Sequence, residues 1–156
     1  MKEYVRTIRE LVGSRRILLP GVRAIIVNEN GEVLLQRRTD MALWGLPSGS
    51  VELDETALEA LRREVAEETA LKVTQAEPMA LYSGPGQRLV YPGGDEIQAF
   101  SVAFIVRKWE GEPRPDGVEC SERRFFPLSH LPDDLLPMHK QTLDDYLRYD
   151  GKFLLP

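Results

Sequence analysis

The alternation of apolar and polar positions predicts a series of strands interrupted by helices. Gly21–Asn28 is apolar on both faces and rich in β-branched residues, which is typical of an interior strand. The turn Asn28–Gly31 follows, and Glu32–Arg38 returns as a second strand, so the two strands are expected to form a hairpin. The other predicted elements are a helix at Tyr4–Val12, strands at Val73–Tyr82, Ile97–Lys108 and Arg123–Phe126, and a closing amphipathic helix at Met138–Tyr149.

Glycine and proline mark two loops, and the best-defined helix lies between them. Thr39–Asp54 is predicted to be a long ordered loop and Ser83–Asp95 a surface loop. The segment Thr56–Thr69 has helical periodicity, and it begins with a capping box in which Thr56 is followed three residues later by Glu59. Strands with helices at intervals predict an α/β or α+β sandwich with a mixed β-sheet.

Composition and charge exclude several classes of protein. The net charge of −5 and the sequence pI of about 5.2 argue against a binder of duplex nucleic acid, which needs clustered Lys and Arg. The single cysteine, Cys120, cannot form an intrachain disulfide, and no Cys/His grouping has zinc spacing. No run approaches the roughly 20 apolar residues needed to span a bilayer. A soluble, cytoplasmic protein without a membrane partner is therefore expected, folded as one domain over residues 1–156.

The helix Thr56–Thr69 gathers three acidic residues on one face. Glu64, Glu67 and Glu68 are spaced i, i+3 and i+4, so they share a sector roughly 100° wide. Glu68 falls next to the apolar Leu61 on the helical wheel, so its carboxylate is expected at the edge of the core. Carboxylates on one face repel one another, and a hard divalent ion such as Mg²⁺ or Mn²⁺ would remove that repulsion. On the acids alone, a solvated charged face is the alternative interpretation.

The acidic helix belongs to a longer motif that begins in the preceding loop. The motif is Gly, five residues, Glu, seven residues, Arg-Glu, an aliphatic residue, any residue, Glu-Glu, any residue, Gly and an aliphatic residue. At residues 49–71 this pattern resembles the box of the Nudix (MutT-like) hydrolase family, and Trp44–Pro47 resembles the family's usual lead-in. The one departure is Ala70, which stands where the family has its last Gly. The matching residues are Gly49, Glu55, Arg63, Glu64, Val65, Glu67, Glu68 and Leu71.

The resemblance implies a fold, a reaction and a set of functional residues. The fold would be an α/β/α sandwich, and the reaction a metal-assisted attack of water on the pyrophosphate linkage of a nucleoside diphosphate joined to another moiety, or of a nucleoside triphosphate. The metal ligands would be Glu64, Glu67, Glu68 and the backbone carbonyl of Ser48, with Mg²⁺ or Mn²⁺ as cofactor. Arg63 and Glu55 would form a charge-assisted bond that orients the loop onto the helix.

The remaining functional residues are less constrained by the motif. Glu119 and Glu122 occupy the region where the family often has a distal catalytic acid, and a solvated loop is the alternative. Arg37, Arg88, Tyr91 and Asp95 are candidates for substrate binding, again with solvent exposure as the alternative. His130 and His139 are predicted to lie on the surface because neither belongs to the motif.

Three functional interpretations remain open at this stage. The first is a hydrolase of a small nucleotide, the second a Nudix-fold domain that binds such a ligand without cleaving it, and the third a scaffold with a solvated acidic helix. A homodimer is a reasonable expectation for the family. No motif selects among ADP-ribose, dinucleoside polyphosphates, oxidised nucleotides, sugar nucleotides and capped RNA.

Overall fold

The computed structural model describes residues 2–114 and 120–156, which form three α-helices and two β-sheets. The helices are α1 (Glu3–Val12), α2 (Ala57–Thr69) and α3 (Pro137–Arg148). The strands are β1 (Ile17–Ile25), β2 (Glu32–Arg38), β3 (Trp44–Gly45), β4 (Ser48–Ser50), β5 (Lys72–Tyr82), β6 (Arg88–Val90), β7 (Glu96–Glu110) and β8 (Cys120–Pro127). Within the described residues, no helix is both long and apolar enough to cross a membrane.

The larger sheet is mixed, as predicted. Its strand order is β4-β1-β7-β5, with β6 also paired to β7, and only β1 and β7 run parallel. The smaller sheet, in the order β3-β2-β8, is antiparallel throughout. The expected hairpin is confirmed next to its turn, where Leu34 N–H donates to the Ile26 carbonyl, Asn28 N–H donates to the Glu32 carbonyl, and Val27 bridges to Val33. Farther from the turn the two strands lie in different sheets, and β2 pairs with β8.

Two apolar clusters pack on opposite sides of β1, and each involves one of the long helices. Val22 and Ala24 point towards α2, where they meet Leu61. Ile25 belongs to the second cluster, which includes Leu143 of α3. Because neighbouring side chains of a strand point to opposite faces, Arg23 lies on the same face as Ile25. The layered arrangement matches the predicted sandwich. In this arrangement the charged side chain of Arg23 points towards α3.

Both predicted loops contain short strands. Thr39–Asp54 includes β3 and β4, which pair with β2 and β1 respectively. Ser83–Asp95 includes β6 and a 3₁₀ turn at Pro85–Gln87. Glycine and serine have low strand propensity, so these short strands depend on backbone hydrogen bonds to the neighbouring strands. The long segments are therefore part of the sheets that carry the site.

Helix α2 begins and ends through local interactions that the motif predicts. The Thr56 hydroxyl accepts a hydrogen bond from the Glu59 backbone N–H, and the Glu59 carboxylate accepts one from the Thr56 N–H. At the other end Ala70 takes the left-handed conformation, with φ of 62°, and its N–H donates to the Ala66 carbonyl. The helix thus ends as the family's glycine would end it, although alanine has a steric cost in this conformation.

Replacing Ala70 with glycine is expected to stabilise the protein by about 1 kcal/mol, because glycine adopts positive φ without the Cβ clash. The melting temperature should rise by about 2–4 °C in a chain of this size. Ala66→Gly is the matched control, since the same change in the exposed helix interior should cost about 1 kcal/mol. If Ala70→Gly lowered the melting temperature as much as Ala66→Gly, the conclusion that the left-handed conformation of Ala70 is strained would be contradicted.

Candidate active site

A cavity of about 450 Å³ opens on the face of β1 and β7 that is turned towards α3. The parallel register places Leu19 opposite Ala99 and Gly21 opposite Ser101, so the floor is built mainly from small and apolar side chains. The walls come from the helix α1, the hairpin turn between β6 and β7, the start of α3, and the end of β2. One side of the cavity is acidic. This side is formed where α2 packs against β4.

Two carboxylates of α2 face this acidic side. Glu64 is 1% exposed and Glu68 is 4% exposed, and both line the cavity next to Ser48 and Gly49. A Cβ atom on Gly49 would lie 2.1 Å from the Glu64 carboxyl carbon, so the absence of a side chain at Gly49 makes room for this carboxylate. The motif therefore has a glycine at position 49 because the Glu64 side chain approaches this backbone closely.

The groups that donate hydrogen bonds to Glu68 are polar but uncharged. Its Oε2 atom accepts hydrogen bonds from Gln36 Nε2 and from the Ser48 backbone N–H, each at 3.0 Å. Burial, followed by repulsion from Glu64, raises the pKa of Glu68 to about 8. Burial also raises the pKa of Glu64, although Arg63 and Lys2 oppose that shift. Two buried acids whose charged forms are destabilised therefore lie at one side of the cavity.

The third acid of the helix face is turned outward. The Glu67 side chain is 46% exposed, pairs with Lys2 Nζ, and lies 3.4 Å from Arg63 Nη1. The same Lys2 ammonium is 3.7 Å from Glu64 Oε1, which places the start of α1 over the acidic side. Among residues 2–114 and 120–156, no group of three or more His, Cys, Asp or Glu side chains forms a ready-made metal cluster. The structure thus brings Glu64 and Glu68 together at the cavity and leaves Glu67 at its outer edge.

Arg63 and Glu55 fix the loop to the helix as the motif predicts. Arg63 Nε and Nη2 donate to the two Glu55 carboxylate oxygens at 2.6 and 2.9 Å, and Nη2 also donates to the Ser50 carbonyl at 3.0 Å. The hydrogen bonds from Arg63 lower the pKa of Glu55. Arg63 Nη1 donates to Glu64 Oε1 at 2.8 Å, so one guanidinium links the loop, β4 and a cavity carboxylate.

Comparison with known proteins decides which family has this arrangement. The family model described as NUDIX domain matches residues 18–148. An ADP-ribose pyrophosphatase of Methanocaldococcus jannaschii is 34% identical over 155 residues, which cover 95% of this chain and 87% of that protein. The chain belongs to the NUDIX domain family. Residues 49–71 are therefore called the Nudix box below.

Other relatives of this NUDIX chain have different names. An RNA pyrophosphohydrolase of Halorhodospira halophila is 48% identical over 52 residues, which cover 33% of this chain and 29% of that protein. The crystal structure of a MutT NUDIX hydrolase from Burkholderia pseudomallei superposes with a TM-score of 0.71 at 25% identity, over 83% of this chain and 98% of that one. The shared architecture agrees with the predicted fold, while the names of the relatives do not converge on one substrate.

Only some of the predicted substrate-binding residues of the NUDIX chain reach the cavity. Tyr91 and Asp95, at the two ends of the β6–β7 turn, both line it. Arg37 does not line it, since its guanidinium pairs with Asp134 at 2.9 Å. Arg88 is also outside the lining, because it pairs with Glu96 at 2.5 Å.

Neither of the predicted distal acids lines the cavity in the part of the chain that the structure describes. Glu122 lies in β8, and its carboxylate accepts from Arg124 Nη2 at 2.5 Å, away from the residues that line the cavity. Glu119 lies outside the described residues. Of the predicted catalytic acids, Glu64 and Glu68 of the Nudix box line the cavity.

Sequence reasoning misplaced one histidine and did not identify the arginines that line the cavity, Arg9, Arg23 and Arg38. His130 is exposed as predicted, but the surface prediction for His139 is wrong, because its side chain is 3% exposed and lines the cavity. Helix α3 turns His139 inward, and a backbone N–H of the loop donates to its ring. Arg23 is 2% exposed on the cavity floor. Its signal in the sequence was a single charge within the otherwise uncharged strand β1.

Proposed function

We propose that this NUDIX protein is a metal-dependent hydrolase that cleaves the pyrophosphate linkage of a nucleoside diphosphate joined to another moiety, or of a nucleoside triphosphate. The observation that carries the proposal is the pair of buried carboxylates, Glu64 and Glu68, at one side of a nucleotide-sized cavity. Buried acids with raised pKa values are costly to a fold and are frequent at functional sites. The names of the relatives support cleavage of a pyrophosphate linkage without choosing the substrate.

The donor atoms fit a hard divalent ion. Glu64 and Glu68 offer carboxylate oxygens without a thiolate beside them, a set that suits Mg²⁺ or Mn²⁺ better than zinc. The Lys2 ammonium already lies against Glu64 and Glu67, so this group of acids attracts a cation in the structure. We propose Glu64, Glu67, Glu68 and the Ser48 carbonyl as the ligands. A divalent ion held there would neutralise pyrophosphate charge and lower the pKa of a water molecule.

The protein's own side chains would then position the substrate and accept a proton. Tyr91 and Asp95 line the cavity and are the proposed contacts for the nucleoside part. Since Glu122 is held by Arg124, a Nudix-box carboxylate is the proposed acceptor of the proton of the attacking water. Arg37 and Arg88 have no role in this proposal, because each is engaged in an ion pair outside the cavity lining.

The test is a panel of nucleotide substrates incubated with Mg²⁺ or Mn²⁺, with release of monophosphate or phosphate as the readout. The panel contains ADP-ribose, a dinucleoside polyphosphate, an oxidised nucleoside triphosphate, a sugar nucleotide and a capped RNA. Glu68→Gln is expected to lower kcat on the order of 100-fold or more, since loss even of a residue that only orients a metal ligand costs about 10–100-fold.

Glu29→Gln, an exposed change in the turn before β2, is the matched control and should retain full activity. Unchanged hydrolysis by the Glu68→Gln protein would overturn the metal site. Tight nucleotide binding without turnover of any member of the panel would instead favour a NUDIX domain that binds its ligand without cleaving it.

A further inference from the structure

The hydrogen bonds to Glu68 all fall on one of its two carboxylate oxygens. Glu68 Oε2 accepts from Gln36 Nε2 and from the Ser48 backbone N–H, each at 3.0 Å. A carboxylate oxygen has about two lone-pair directions, so these two donors occupy the acceptor positions of Oε2. Within the described part of the chain, Glu68 Oε1 has no hydrogen-bond partner and is not fully enclosed. Because Glu68 lines the cavity, Oε1 is the oxygen that remains for a ligand.

Arg123 determines which end of the Gln36 amide faces Glu68. Arg123 Nη2 donates to the Gln36 side-chain oxygen at 2.7 Å. A guanidinium can only donate hydrogen bonds, so the oxygen end of the amide must face it. The amide nitrogen of Gln36 then lies on the Glu68 side, where it donates. A flipped amide would place its oxygen against the Glu68 carboxylate and its hydrogens against Arg123, and both contacts would be repulsive.

Arg123 is itself anchored to the backbone near the end of α2. Its Nη1 atom donates to the Arg114 carbonyl at 3.1 Å, and the Arg114 N–H donates to the Thr69 carbonyl at 2.8 Å. In the antiparallel pairing of β2 with β8, Gln36 lies directly opposite Arg123, which places the two side chains on the same face of the sheet. The hydrogen bonds from Arg123 to Gln36 and on to Glu68 therefore connect the smaller sheet to α2.

Gln36 keeps the charge of Arg123 one side chain away from Glu68. A guanidinium bonded directly to Glu68 would form an ion pair, and that pair would compete with a bound cation for the negative charge. The Gln36 amide and the Ser48 N–H are uncharged donors, so they orient the carboxylate and leave its charge to a ligand. Gln36 is 1% exposed, and a buried amide is favourable only when its polar atoms are hydrogen-bonded. The arrangement is therefore suited to orienting an acid that binds a cation.

We propose that Gln36 and Arg123 are positioning residues of the metal site, which hold Glu68 Oε2 and reserve Glu68 Oε1 for the divalent ion. The inference rests on the proposed function, because it assumes that Glu68 is a metal ligand. Gln36 acts on Glu68 directly, whereas Arg123 acts through Gln36. Side chains that orient a metal ligand typically contribute about 10–100-fold to metal affinity. Neither residue belongs to the Nudix box, so the box alone would not specify how Glu68 binds the ion.

Isothermal titration with Mn²⁺ measures the affinity of the site without a substrate. Gln36→Met keeps the length of the side chain and removes its amide, so it should raise the Kd for Mn²⁺ about 10–100-fold. Arg123→Met should raise the Kd as well, because the Gln36 amide is then free to turn. Arg123→Lys keeps a donor for the Gln36 oxygen and should bind Mn²⁺ as the wild-type protein does. Arg124→Met, at an exposed pair with Glu122, is the matched control and should leave the Kd unchanged.

A double-mutant cycle separates positioning from support of the fold. Arg123→Met should weaken Mn²⁺ binding when Gln36 is present and should change it little in the Gln36→Met background. Equal losses in both backgrounds would contradict the inference, because Arg123 would then act independently of Gln36. A folded Gln36→Met protein with the wild-type Kd would also overturn it, since a loss of stability alone would mean that the amide only supports the fold.

A crystal of the wild-type protein soaked in Mn²⁺ tests the assignment of the two oxygens, even if the variants do not fold by circular dichroism. The anomalous signal of the ion should lie next to Glu68 Oε1, with Gln36 Nε2 still bonded to Glu68 Oε2. An ion on Oε2, an ion shared by both oxygens, or an ion bound only by other residues would each contradict the proposal.

These measurements fail independently of the proposed function, because none of them requires turnover. If the nucleotide panel is hydrolysed while Gln36→Met keeps its affinity for Mn²⁺, the hydrolase stands and the positioning role is lost. If Mn²⁺ binds at Glu68 Oε1 and both expected losses are observed without hydrolysis of any substrate, the positioning role stands and the hydrolase is lost.

Discussion

Replacing Glu68 with glutamine is expected to stabilise the metal-free protein at pH 8 and to remove its stabilisation by Mg²⁺. Burial raises the pKa of Glu68 to about 8, above its value in the unfolded chain. Below pH 4.5 the carboxyl is protonated in both states and costs nothing. As the pH rises from there towards 8, the unfolded state releases the proton more readily, and the folded state loses stability. The loss is on the order of 4 kcal/mol across this window.

Glutamine keeps the acceptor that Gln36 and the Ser48 N–H require, but it does not ionise. Thermal unfolding in EDTA should therefore show a melting temperature that falls between pH 5 and pH 8 in the wild-type protein and falls much less in Glu68→Gln. The two proteins should differ on the order of 10 °C at pH 8. Adding Mg²⁺ should raise the wild-type melting temperature and leave that of Glu68→Gln unchanged.

Glu29→Gln serves again as the control, because its side chain is exposed in a turn and should leave both the pH dependence and the Mg²⁺ response as they are. A Glu68→Gln protein that melts at the wild-type temperature throughout, or that still responds to Mg²⁺, would show that Glu68 is not the costly buried ligand proposed here. Loss of activity in a more stable protein is the trade-off expected when a site is built from groups that the fold does not favour.

The sequence predicted the parts of the site that depend on local geometry. The capping box at Thr56 sets where α2 begins, and helical periodicity then fixes Glu68 beside Leu61. The prediction that Glu68 lies at the edge of the core is confirmed by its burial. The bond of Arg63 to Glu55 follows in the same way, since both are at fixed positions around one helix start. Such features depend only on residues that are close to one another in the sequence.

Features that depend on distant elements were not accessible in this way. No local pattern shows that the start of α1 brings Lys2 onto Glu64 and Glu67, or that α3 turns His139 into the cavity. The hairpin expected after β1 extends only a few residues from its turn, because β2 lies in a second sheet where it pairs with β8, far along the chain. In the sequence, Arg23 stands out only as the single charge of strand β1. Its hydrogen bonds to Thr142 and Gln87, which come from distant parts of the chain, appear only in the structure.

Gly49→Ala is expected to disrupt the site, because the close approach of Glu64 leaves no room for a Cβ atom at this position. The new Cβ would lie 2.1 Å from the Glu64 carboxyl carbon and 2.3 and 2.4 Å from its two oxygens. The Glu64 carboxylate can move away only by turning further into the cavity, and its hydrogen bond to Arg63 opposes that movement. The loss of stability should be about 1–3 kcal/mol or more, as for other overpacked interiors. Divalent-ion binding should weaken at the same time, because the carboxylate is displaced.

A double-mutant cycle identifies the cause of this loss. In a Glu64→Ala background the clashing carboxylate is absent, so adding Gly49→Ala should cost much less stability than it does in the wild-type protein. Divalent-ion binding, measured by titration with Mn²⁺, should stay weak in the double mutant because a ligand is missing. Gly93→Ala, at a site where a Cβ meets nothing within 4 Å, controls for the general effect of replacing glycine. Equal costs of Gly49→Ala in both backgrounds would mean that β4, and not Glu64, requires the glycine, and the close contact between loop and helix would no longer explain the first residue of the box.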